Sequence, residues 1–336
     1  MVQAIRREIT MSLQAGVDGD VLVYRAGFAA ETSRYKITNA NYGKEYLFDT
    51  KGEAKQGVID LGWEGRTDIV REVAPEPLEN CLHTVKLQLN KIKEATGADE
   101  LVVYLSGSDN YRLRRATFLP YKGNRALPQQ RLDWIAEGKW LYYLEHAKFS
   151  GRGRPYHYAD IKRYMTERWD AQVCHWYEAD DALAMAQTAL GDEHIICTID
   201  KDLKQVVGSF YNFTTDEFDS VDPLTAEMNL QHQRLTGDMC DCIYGIKGMG
   251  PAKSKKVLEG LPEDLMDEAI LLEYQDWFDR INNDEKYAKK KQPMDDALVS
   301  MYSPEAYMDE VTDLVRLLRT EDEYVEMMNK IKGIGI

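Results

Sequence analysis

Residues 174–204 read CHWYEADDALAMAQTALGDEHIICTIDKDLK, and this stretch decides how the chain is organised. Glu178, Asp180 and Asp181 stand at the start of a helix whose apolar positions Leu183, Ala186 and Leu190 recur at helical spacing, with Gly191 as its stop. The apolar run 195–197 predicts a short, buried parallel strand with Asp200 and Asp202 at its carboxyl end. Open parallel sheets take their ligands at the carboxyl ends of strands, so five carboxylates from two adjacent elements are expected to converge. Two carboxylates about 4 Å apart repel by ~4 kcal/mol at an effective dielectric near 20. Five together therefore call for cations between them. Each half also has an ordinary reading, because acids in a first helical turn serve capping and the helix dipole, and Asp-x-Asp after a strand is turn chemistry. The rest of the chain has to choose.

Outward from this stretch the same pattern recurs. Residues 16–28, GVDGDVLVYRAGF, place Asp18 at a strand end ahead of a helix in which Val21, Tyr24 and Phe28 share a face. Residues 80–96 predict a helix, and LVVYL at 101–105 a second clear strand that ends in the turn SGSDN, carrying Asp109. A further strand is expected at 211–213 and a helix from Pro223 through Leu230. Strands that alternate with helices, each shedding an acid at its end, describe an α/β fold with a doubly wound, mostly parallel sheet and a carboxylate-lined crevice. Residues 31–80, polar and weakly periodic, read as an inserted connection without assigned function.

Two other stretches carry basic chemistry. YRLRRATFLPYKGNR, 111–125, mixes Arg112, Arg114, Arg115, Lys122 and Arg125 with aromatics, a composition that suits phosphates and stacked bases. Lys148, Arg152, Arg154, Lys162 and Arg163 continue the basic character, and Trp134 and Trp140 read equally well as stacking or core residues. In TGDMCDCIYGIKGMGPAKSKKVL, 236–258, Gly245, Gly248 and Gly250 form a tight turn before a helix opened by Pro251. Backbone N–H groups at such a turn can meet a phosphate, and Lys247, Lys253, Lys255 and Lys256 add charge, so the segment predicts a helix-hairpin-helix clamp for DNA.

The net charge of −15 at first argues against a nucleic-acid partner. Its distribution reverses the argument, since 19 acids face 9 bases between 261 and 336 while the basic stretches lie near the acidic motifs. Cys81, Cys174, Cys197, Cys240 and Cys242 lack zinc or redox spacing, and reduced thiols are expected. No run is long enough to span a membrane and the start has no apolar signal stretch, which predicts a cytoplasmic protein without membrane partners.

Taken in order, VDGDVLVYR from Val17, SGSDN from Ser106 with YKGNR from Tyr121, EADD from Glu178, TIDKDL from Thr198, and GDMCD from Gly237 with GIKGMG from Gly245 resemble the flap endonuclease and 5′→3′ exonuclease superfamily, and within it the bacteriophage exonucleases. The resemblance covers roughly 16–258. It implies a nuclease core at 1–230 with a helical arch or gateway at about 110–170, a hairpin subdomain at 231–262 and an acidic helical segment at 263–336. It further implies two Mg²⁺ or Mn²⁺ ions: one held by Asp18, Asp109, Glu178 and Asp180, the other by Asp200, Asp202 and Asp241, with Asp181 between them and Asp238 acting through water. Lys122 and Arg125 would contact the scissile phosphate and Tyr121 would stack on the terminal nucleotide. The hairpin would grip duplex DNA and hold K⁺ through its carbonyls. The expected activity is 5′→3′ hydrolysis of duplex or flapped DNA, with RNA:DNA hybrids as a further substrate, to 5′-phosphate products in phage replication or primer removal within the host cytoplasm. A structure-specific flap endonuclease and a non-catalytic DNA-binding accessory domain are the alternatives. Two positions depart from the family pattern: Cys242 stands where Asn is frequent, and Asp20 where Asn or His is frequent.

Overall fold

Parallel strands need cover on both faces, and the short apolar runs of this chain obtain it by alternation. In β1 (Gln14–Asp18), Ala15 and Val17 are fully buried on one face, while Gly16 meets the opposite side. The computed structural model describes residues 12–39, 43–126, 128–140, 143–144, 153–289 and 291–333. Strands β5 (Glu100–Asn110), β6 (Gln172–Trp176), β7 (His194–Cys197), β8 (Gly208–Asn212) and β9 (Glu217–Val221) complete a six-stranded sheet. Its order is β6-β5-β1-β7-β8-β9, parallel throughout except where β9 turns back on β8. After β1 the chain builds outward to β5 and β6, then crosses to the other side of β1 for β7. That reversal puts the switch point, and the crevice, at the carboxyl ends of β1 and β7.

Helices cover both faces, as expected of a doubly wound sheet. α1 (Gly19–Ala29), α3 (Leu78–Thr96) and α6 (Tyr158–Trp169) share a core with Ala15, Val17, Val103, Leu105, Ile195 and Cys197. The opposite face, Val102, Tyr104, Ile196 and Phe210, packs against Ala179, Ala182 and Leu183 of α7 (Ala179–Leu190). Gly16 lies under this helix, where an added Cβ would stand 2.4 Å from His194 Nε2. The buried stripe of α1 is Leu22, Val23 and Ala26, so Tyr24 and Phe28 are only half-buried and the face expected from sequence is displaced by about one residue.

The insertion at 31–80 has a structure of its own. β2 (Glu31–Thr38), β3 (Glu45–Phe48) and β4 (Ile69–Pro75) form an antiparallel sheet in the order β3-β2-β4, with α2 (Lys51–Asp60) alongside. β3 and β4 are mostly exposed, which is why they lack the alternation that betrays a strand. The stretch expected as an arch, about 110–170, contains α4 (Tyr111–Arg115) and α5 (Pro128–Ala136) ahead of α6. Lys148 and Arg152 lie outside the described residues.

The hairpin is built by α8 (Pro223–Thr236), the two-residue pair β10 (Gly237–Asp238) and β11 (Ile243–Tyr244), and α9 (Pro251–Leu258). The C-terminal helices α10 (Glu263–Asn283), α11 (Glu285–Ala288), α12 (Pro293–Met301), α13 (Pro304–Val315) and α14 (Glu321–Gly333) follow. Ile243, Ile246 and Leu258 of the hairpin pack in one aromatic-rich core with Tyr274, Trp277 and Tyr307. The boundary expected at 262 is therefore no break in packing. Among the described residues no helix is long and apolar enough to cross a membrane, and all five cysteines are free thiols.

Candidate metal and phosphodiester site

Asp18 closes β1 and caps α1, and both tasks come from its position at the strand-to-helix turn. Its Oδ1 accepts from Val21 N at 3.0 Å and its Oδ2 from Thr198 Oγ1 at 2.8 Å, with the residue 2% exposed. Thr198 lies just past β7 and also accepts from Asp200 N at 2.9 Å, so a single hydroxyl ties the ends of the two central strands together. Asp200 Oδ1 in turn accepts from Asp202 N at 2.9 Å, and Asp202 Oδ1 accepts from Gln233 Nε2 at 2.6 Å.

Electrostatics report how close these acids stand. Burial, then the charges of Asp20 and Asp200, push the Asp18 carboxyl up to about 7. Burial followed by Asp18, Asp200 and Glu178 raises Asp180 well above its ordinary value. Burial with Asp200, Asp238 and Asp241 raises Asp202 to about 6. Asp200 thus belongs to both neighbourhoods, Asp18 and Asp180 on one side and Asp202, Asp238 and Asp241 on the other. Asp20 accepts from Ser106 N at 3.0 Å and faces Lys162 Nζ at 3.7 Å.

The remaining acids are matched by cations of the chain itself. Glu178 is the N-cap of α7, where its Oε1 accepts from Lys122 Nζ at 2.6 Å and from Asn110 Nδ2 at 3.2 Å. Burial would raise its pKa, but Lys122 and Arg112 outweigh burial and lower it. Asp241 pairs with Arg125 Nη2 at 2.7 Å and Lys122 Nζ at 3.6 Å, yet burial keeps its pKa raised. Burial opposes the charge on Lys122, and Glu178 and Asp241 overcome it, so the ammonium is held above its ordinary pKa. Hydrogen bonds from backbone and side chain lock this basic turn onto the hairpin. Lys122 N donates to Asp241 O at 2.8 Å, Asn124 Nδ2 to Cys240 O at 3.0 Å, and Asn124 N to Cys242 Sγ at 3.2 Å. Cys242, at the departure from the family pattern, thereby holds the turn that carries Lys122 and Arg125.

Several of the expected residues make contacts other than those the resemblance implies. Asp109, its side chain 43% exposed, pairs with Arg114 at 3.4 Å, within the stretch where β5 is irregular between Ser106 and Asn110. Asp181 is fully buried and its oxygens are taken by Arg112, Glu178 N and Leu318 N, so it anchors structure instead of lying open between two ions. Tyr121 is 7% exposed with its hydroxyl 2.7 Å from Glu178 Oε2 and 3.0 Å from Asp241 Oδ2, which denies it a stacking face. Trp134 is buried and meets Trp140 edge-on at 5.1 Å, the core reading of that pair. Lys247 is drawn to the buried Asp295 carboxylate at 2.6 Å. Lys253 donates to Gly248 O at 2.8 Å, which ties α9 back to the glycine turn before it. Lys255 and Lys256 remain exposed in the last turn of α9, which begins just after Gly250. Sequence reasoning gave no role to Thr198, Asn124 or Gln233, whose contribution is a hydrogen bond to a distant segment and leaves no local signal.

A divalent ion suits this donor set by chemistry. The oxygens are hard, and Asp180 accepts no hydrogen bond among the described residues. Among those residues no three acids or other ligands close around one point, so an ion would have to draw the side chains together.

The sequence matches no family model and no curated protein. Among solved structures it is similar to a bacteriophage T5 flap endonuclease in a pseudo-enzyme-product complex with DNA and metal ions, at 16% identity over 96% of this chain and 98% of that one, with a TM-score of 0.49. It is also similar to the T5 5′-exonuclease with bound zinc (17% identity, 96% and 99% covered, TM-score 0.46). A third likeness is to the catalytic core of Rad2 with a DNA substrate (14%, 96% and 89%, 0.43). At these identities and TM-scores none of them fixes a residue's role in this chain.

Proposed function

We propose that the chain is a divalent-metal-dependent 5′ nuclease of the flap endonuclease and 5′→3′ exonuclease superfamily, hydrolysing phosphodiesters at 5′ ends of duplex or flapped DNA. One observation carries the reading. Asp18, Asp200 and Asp202 are joined through Thr198 and the turn after it, and Tyr121 and Lys122 bridge Glu178 to Asp241, so acids far apart in sequence meet at the sheet's switch point beside Lys122 and Arg125. Crowded acid is costly without cations, and crowded acid beside paired bases suits a phosphate ester held over metal.

Mg²⁺ or Mn²⁺, when bound, would lower the pKa of water and offset charge on the leaving 3′ oxygen. Asp18 and Asp180 would hold one ion, and Asp200, Asp202 and Asp238 the other; Glu178 and Asp241 would join them only by exchanging Lys122, Tyr121 and Arg125 for metal. Thr198 keeps Asp18 and the Asp200 turn in register. Lys122, protonated across neutral pH, and Arg125 are the groups available to the oxygens of the phosphate. Lys255 and Lys256, with the N-terminus of α9, would carry duplex backbone away from the cut. Asp109 and Asp181 are outside this ligand set.

The test is product analysis on 5′-labelled duplex and flap DNA with Mg²⁺, with EDTA and with Asp200→Ala. Mg²⁺-dependent 5′-phosphate products are expected, lost in EDTA and reduced at least about 10²-fold in the variant. Mononucleotides identify an exonuclease and long released fragments a flap cutter. Equal cleavage in EDTA refutes the metal reading, and absence of cleavage on every substrate leaves the accessory-domain alternative.

A further inference from the structure

The C-terminal quarter contains no motif of the site, yet part of it reaches the acids directly. Between α13 and α14 the segment 316–320 forms a strap that runs between α4, the first turn of α7 and the turn at 202–205. Arg112 of α4, 2% exposed, donates to three residues. Nη1 and Nη2 bind Asp181 Oδ2 and Oδ1 at 2.6 and 2.9 Å, while Nε and Nη2 donate to Leu314 O at 2.9 Å and Arg316 O at 2.8 Å. Leu318 N adds a bond to Asp181 Oδ1 at 3.0 Å. On the far side Arg319 Nη2 donates to Gln205 O at 2.9 Å, and Gln205 Nε2 to Val315 O at 2.9 Å.

Asp181 is therefore gripped by Arg112 from one side and by the strap from the other. It sits in the same helical turn as Glu178 and Asp180, and its Oδ2 accepts from Glu178 N at 3.0 Å. Asp180 has no hydrogen-bonding partner of its own among the described residues, so its aim depends on how that turn is fixed. Gln205 lies in the same short turn as Asp202. A buried ion pair is weak evidence for stability, since replacing both partners with neutral groups often costs nothing. Its geometry is better evidence for fixing position.

We propose that Arg112, Asp181 and the strap 316–320 form a positioning element for the metal-binding acids, setting the first turn of α7 through Asp181 and the Asp202 turn through Gln205. The inference rests on the metal-dependent reading above. Arg112 and Asp181 touch neither metal nor DNA in this account, and act through Glu178, Asp180 and Asp202.

The experiment pairs Arg112→Met with Asp181→Asn in one chain, so that no buried charge is left alone, and adds Arg112→Lys and Arg319→Met. Mn²⁺ affinity is read by electron paramagnetic resonance titration without DNA, alongside thermal unfolding and steady-state kinetics on duplex DNA labelled at its 5′ end. The double variant should keep its unfolding temperature within a few degrees, bind Mn²⁺ about 10–100-fold more weakly and lose kcat with little change in KM. Arg112→Lys, which keeps the charge without the planar fork, should recover part of the loss. A folded double variant with unchanged Mn²⁺ affinity overturns the proposal. If the double variant does not fold, Arg319→Met decides: weaker Mn²⁺ binding supports the strap, unchanged binding overturns it. A wild-type chain that binds Mn²⁺ without cleaving any 5′ end refutes the nuclease reading alone, and the comparison of affinities still judges the strap. A wild-type chain that binds no Mn²⁺ overturns both.

Discussion

Removing metal should make this protein less stable as pH rises, and Asp18 is the residue through which to test it. Its carboxyl is raised from 3.8 to about 7 by burial and by the neighbouring acids. The folded state thus holds the proton more tightly than the unfolded chain, so the stability this supplies is fully present below about pH 4 and is lost as pH rises through about 7. At about 1.4 kcal/mol per unit of pKa, the whole span is worth ~4 kcal/mol, and the part lost between about pH 5 and pH 8 is ~3 kcal/mol. For a chain of this size that is roughly 5 °C in unfolding temperature. Asp18→Asn keeps the acceptor for Val21 and the contact with Thr198 while removing the titration. Thermal unfolding in chelator at about pH 5 and pH 8 should therefore show wild type losing several degrees more than the variant, and Mg²⁺ at pH 8 should restore wild type but not Asp18→Asn. A chelated wild type whose loss between these pH values matches that of Asp18→Asn would refute the crowding on which the metal reading depends.

Lys122→Met should lower kcat by about 10²–10³-fold with a smaller change in KM, because its ammonium is held beside Glu178 and Asp241 where charge would develop; a pure KM effect in steady-state kinetics would count against that role. Lys255→Glu with Lys256→Glu should raise KM and make binding less salt-dependent, the slope of log affinity against log salt falling by about two, while kcat at saturating DNA stays put; an unchanged slope removes α9 from the interface. Gly237→Ala should destabilise the fold by about 1–3 kcal/mol in urea unfolding, since φ is +64° there and an added Cβ would stand 2.3 Å from Gly245 N; wild-type stability would mean the hairpin crossing is looser than described.

Much of the site was legible because its elements announce themselves locally. The helix start at Glu178, the strand ending before Asp200 and the glycine turn at 245–250 follow from periodicity and turn chemistry, which depend only on neighbours in sequence. The small antiparallel sheet at 31–75 was not legible, because its outer strands β3 and β4 are exposed and carry no alternation of apolar residues. Nor could spacing tell that Asp109 pairs outward with Arg114 or that Asp181 is consumed by Arg112. Both carboxylates sit in motifs that look the same whether the side chain faces a metal or a guanidinium.

By itself the sequence determined the alternation of strands and helices and which strand ends bear acid, since backbone periodicity and capping are short-range effects. Tertiary structure decided which of those acids meet, which are neutralised by Lys122, Arg125 and Arg112, and that the C-terminal strap reaches the site. Charge pairing, hydrogen bonding and desolvation act through space, between residues more than 200 apart such as Arg112 and Leu314, and no local pattern records them.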